Sequence, residues 1–170
     1  MLVAGIGNIF FQDDGFGSAV AAALAAADGL PESVRVVDYG IRGMHLAYDL
    51  LSGVDALVLL DAIPAKARAD APERPPGTVV VSEIGPDDLG DGEFDAHGMA
   101  PAAMLASLGS LGGTLPATYL VGCVPSSTAE GIGLSVPVAA AVAEAVPAVE
   151  KLVSSLAAGL TPPARQDAEV

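Results

Sequence analysis

The residues of this chain best suited to chemistry are two aspartates and a histidine. Asp14 lies in GIGNIFFQDDGFG, Asp61 closes LVLLD, and His97 lies in FDAHGMAP. At the start of an expected helix, the Asp14 carboxylate would be held ionised by the backbone dipole, which suits a hard or borderline metal ligand. The alternative is that Asp14 only caps the helix, and capping is the expected role of its neighbour Asp13. An imidazole such as that of His97 can ligate a metal or move a proton near neutral pH, with an exposed loop histidine as the alternative. Asp95 stands close enough in sequence to orient it. The other histidine, His45, falls in an expected helix beside Met44, Leu46 and Leu50 and reads as a surface or packing residue.

Other hydrolytic chemistries lack their residues. There is no HExxH pair and no GxSxG nucleophile elbow. The lone cysteine, Cys123, has apolar flanks and reads as a buried thiol, not a nucleophile. Gly5 and Gly7 begin as a dinucleotide fingerprint would, but Phe10 replaces the third glycine. Asp13 and Asp14 would repel a pyrophosphate at the helix start. A nucleotide-binding Rossmann-like enzyme is therefore a rival reading, as is a non-catalytic chaperone. The segment DYGIRGM offers Asp38, Gly40 and Gly43 after a strand. Its glycines permit close backbone approach, either to line a substrate cleft or to make a strand-to-helix turn.

Strands are expected at about 1–6, 34–38, 56–61, 77–84 and 118–124, and helices at about 14–27, 42–52, 101–111 and after Ser135. The last helix repeats apolar residues from Val138 to Leu156 at three- and four-residue steps, with Ser135 as N-cap and a kink expected at Pro147. Alternating β and α units predict a three-layer α/β/α sandwich over residues 1–160, followed by a frayed tail at 161–170. If strand 1 lies between strands 2 and 3, Asp14 and Asp61 meet at the switch point outside the strand ends, where such sheets bind ligands. Strand 4 follows strand 3 without a helix, so an antiparallel direction is open to it. The stretch from Gly85 to Ala96 can span up to ~40 Å, enough to bring His97 to the same crevice.

The chain has 7 Lys and Arg against 21 Asp and Glu, a net charge of −14 that disfavours nucleic acid and anionic lipid as partners. The start MLVAGIGNIF has no basic leader, and the apolar stretch is too short for a bilayer, so a cytoplasmic location is expected.

Together, GIGNIFFQDDGFG, DYGIRGM, LVLLDAI, the lone His97 and VGCVPSS resemble, in order and spacing, the hydrogenase maturation endopeptidases. The resemblance implies a five-stranded, mostly parallel twisted sheet with one antiparallel strand. It further implies that Asp14, Asp61 and His97 bind a metal. That metal would be nickel, already seated on cysteine thiolates of the [NiFe]-hydrogenase large-subunit precursor, whose C-terminal extension is removed. On this view no metal is tightly bound by the resting enzyme. Some family members carry Glu where this chain has Asp14, so its carboxylate reaches less far.

Overall fold

The computed structural model describes residues 1–27, 29–67, 69–85, 105 and 108–159. His97, Asp95, most of the expected 101–111 helix and the 161–170 tail lie outside these residues.

Five strands form one sheet: β1 (Leu2–Ile6), β2 (Arg35–Gly40), β3 (Ala56–Ala62), β4 (Val79–Ile84) and β5 (Ala117–Cys123). Their order is β2-β1-β3-β5-β4. β1 pairs in parallel with β2 and β3, and β3 with β5, whereas β4 runs antiparallel to β5. A parallel neighbour needs a long crossover, usually a helix, and the described residues of the Pro-containing 63–78 link form none. The chain therefore turns back, and β5 fills the place between β3 and β4.

The apolar run of β3 shows why both faces are covered. Leu57 and Leu59 face a core shared with Leu46, Ala47 and Leu50 of α2 (Gly43–Leu51), and with Leu105 and Leu108. Val58 and Leu60 face the opposite core, with Phe16, Val20 and Leu24 of α1 (Phe16–Ala26) and Val138, Val149 and Val153 of α3 (Val136–Ala157). Successive strand side chains point to opposite faces, so an unbroken apolar run requires a layer on each side. Ser135 occupies the N-cap of α3, and the helix continues through Pro147 without a break. Among the described residues, no helix is long and apolar enough to cross a membrane.

Helix α1 lies unusually close to the sheet. A Cβ built on Gly17 would stand 2.1 Å from the Leu60 carbonyl oxygen and 2.3 Å from that of Ile6. Only a glycine fits there, and the contact fixes the turn that enters α1 relative to the ends of β1 and β3.

Candidate active site

The site sits where the strand order reverses beside β1, at the carboxyl ends of β1, β2 and β3. Asp14 does not begin α1 as the sequence predicted. It belongs to a 3-10 turn, Gln12–Gly15, that precedes the helix. Its Oδ2 accepts the Asn8 backbone N–H at 2.6 Å. The β1 turn therefore holds this carboxylate, rather than the amides of an α-helix. That turn is tight: Gly7 has φ +121°, and a Cβ on it would lie 1.9 Å from the Asp14 carbonyl oxygen. The space a fingerprint glycine would leave for a pyrophosphate is filled by the chain itself, which removes the ground for a nucleotide site.

Asp61 is the last residue but one of β3, and its carboxylate is part-buried at the carboxyl end of that strand. Its Oδ1 accepts the N–H of Ala62 at 2.8 Å. Burial, reinforced by the negative charge of Asp14 and only partly offset by that hydrogen bond, pushes its carboxyl up to about 7. The structure thus brings Asp14 and Asp61 together, as the topology predicted. Two repelling carboxylates call for a shared proton or a cation. Among the described residues no group of three His, Cys, Asp or Glu side chains could hold a metal ion. What these residues supply is a pair of carboxylate groups, donors of the kind that hard or borderline cations take.

Asp38 and Gly40 border the same place. The Asp38 Oδ1 accepts the Ser18 hydroxyl at 2.8 Å and the Gly40 N–H at 3.0 Å. The Gly40 carbonyl, on a residue with φ +54°, accepts the Gly7 N–H at 3.2 Å. Gly43 instead lies buried at the start of α2, within the strand-to-helix turn. His45 is exposed on α2.

Asp13 corrects a second expectation, because it caps nothing. It is fully buried and accepts the N–H groups of Ser126 (2.8 Å), Ser127 (3.0 Å) and Ser135 (2.6 Å), together with the Ser135 hydroxyl (2.8 Å). Burial alone would raise its carboxyl, but the four hydrogen bonds together hold it below the usual carboxylate range. Residue type gave no hint of this role, since the donors lie 113 to 122 positions away. Cys123 is buried, and burial, with the charges of Asp13 and Glu144, pushes its thiol up to about 12. It is not a nucleophile at neutral pH.

An α/β sandwich with an acidic crevice at its switch point is a general class, and similarity to known proteins narrows it. A family model described as hydrogenase maturation protease matches residues 18–152. The Hydrogenase 2 maturation protease of Escherichia coli is 33% identical over 158 residues, which are 92% of this chain and 90% of that protein. The solved structure of the hydrogenase maturating endopeptidase HybD from E. coli superposes with a TM-score of 0.73 at 31% identity, covering 93% of each chain. A hydrogenase 2 maturation peptidase from a Thaumarchaeota archaeon gives 0.63 at 30% identity, covering 94% of this chain and 98% of the other. The chain belongs to the hydrogenase maturation protease family and is an endopeptidase.

Proposed function

We propose that this endopeptidase removes the C-terminal extension of a [NiFe]-hydrogenase large-subunit precursor by docking on nickel that the precursor carries. The observation behind this reading is the meeting of the Asp14 and Asp61 carboxylates at the ends of β1 and β3. Two carboxylates, with His97 as the third member, make a weak and incomplete shell for a borderline metal. Cysteine thiolates of the substrate hold the nickel from their side, and the three enzyme groups approach its open positions. The scissile peptide is thereby registered against the cleft that Asp38 and Gly40 border. No tightly bound metal belongs to the resting enzyme. The reaction belongs in the cytoplasm, where thiolates stay reduced.

The test mixes chelator-treated enzyme with nickel-loaded and nickel-free precursor and follows the large subunit's mass. Only the nickel-loaded chain is expected to shorten. Alanine at Asp14, Asp61 or His97 should abolish cleavage with normal circular dichroism, while His45→Ala stays within a few-fold of wild type. Equal cleavage of both precursors would refute the dependence on nickel. Full activity in two of the three site variants would refute the residue assignment.

A further inference from the structure

The loop that carries Asp14, and two loops hydrogen-bonded to it, display exposed apolar side chains. Phe10, Ile41 and Ile132 are 60%, 62% and 81% exposed. Single exposed apolar residues are ordinary, but three on loops joined to the turn that holds Asp14 mark a binding surface. Hydrogen bonds tie these loops together. The Gly7 N–H to the Gly40 carbonyl sets Ile41 beside the β1 turn. The Phe10 carbonyl accepts the Gly131 N–H at 2.9 Å, and the Gln12 N–H donates to the Gly131 carbonyl at 3.0 Å, which sets Ile132 beside Phe10. The four hydrogen bonds to Asp13 then fasten 126–135 to the turn that carries Asp14. Folding has already fixed the backbone that displays these side chains, so little ordering cost is left for binding.

Charge selects the occupant. The carboxyl ends of β1, β2 and β3 carry Asp14, Asp38 and Asp61, and the chain as a whole is at −14. A second copy would bring like charges face to face, and an anionic membrane would be repelled. We propose that Phe10, Ile41 and Ile132 form an apolar rim that grips apolar side chains of the polypeptide substrate on either side of the positively charged or metal-bearing centre that docks on Asp14 and Asp61. This rests on the function proposed above and adds what the substrate must present around that centre.

The experiment uses the full chain and nickel-loaded precursor, and measures cleavage kinetics, direct binding and sedimentation of Phe10→Ser, Ile41→Ser, Ile132→Ser and the Phe10/Ile132 double variant. All three positions are exposed, so the variants are expected to fold. Each single change should weaken precursor binding and raise KM roughly tenfold, as loss of one large apolar contact does, with kcat within about twofold. The double variant should lose more than either single. A double variant with unchanged KM and binding, while wild type still cleaves, overturns the rim and leaves the proposed function standing. A wild type that neither binds nor cleaves nickel-loaded precursor overturns both. If the serines turn a dimer into a monomer without changing KM, the rim serves self-association and the proposal fails.

Discussion

Asp13 and Asp14 are neighbours of the same type, yet their surroundings give them opposite tasks. Asp13 is buried and has four donors, so its charge is stabilised and its place is structural. Asp14 accepts the Asn8 backbone N–H, and its negative charge adds to burial in pushing the Asp61 carboxyl from its ordinary 3.8 up to about 7. The raised value fixes a sign. The folded protein binds this proton more tightly than the unfolded chain, so the contribution of Asp61 to stability is fully present below about 4 and is lost as pH rises through about 7. Asp61→Asn removes that loss. Denaturant titrations should show it level with wild type near pH 4 and more stable by on the order of 2 kcal/mol at pH 8. Parallel pH profiles for the two proteins would mean that Asp61 ionises freely.

At the scale of elements, the approach of α1 to the sheet sets the site. The 2.1 Å separation between a Cβ on Gly17 and the Leu60 carbonyl oxygen involves backbone on both sides, so no side chain can give way. Gly17→Ala must push α1 off β1 and β3 and carry the 3-10 turn with it. The expected cost is about 3 kcal/mol or more, read as a lower urea midpoint. Precursor cleavage should fall further than stability does, because Asp14 leaves its place near Asp61. A wild-type midpoint and rate would show that the helix is not anchored there. The substitution of Ile41 in the rim works at the other limit, since its side chain is displayed by a loop and supports no element.

At the scale of the whole molecule, two apolar cores cover the faces of the sheet, and no disulfide is possible with one cysteine. Burial in these two cores can carry the stability of the chain. Chelator treatment of the purified enzyme should leave its Tm within about 1 °C, whereas a structural zinc would contribute to folding outright. A large drop in Tm, or stoichiometric zinc in the untreated protein, would point to a resident metal.

Much of this could be read from residues alone, because it depends on local pattern. The run LVLLD is apolar without alternation, so β3 had to be covered on both faces, and an aspartate at its end had to reach the carboxyl edge of the sheet. The missing helix after β3 left an antiparallel β4 open, and the structure takes that course. Tertiary structure decided what depends on distant partners. Asp13 looked like a cap because a helix follows it, but its four donors come from beyond β5 and arrive only when the sheet places β5 beside β3. The Phe10 to Gly131 pairing, and with it the position of Ile132, has the same origin. The proton affinity of Asp61 followed too, since it reflects a neighbouring charge 47 positions earlier in the chain, at Asp14, and a burial that no local sequence window contains.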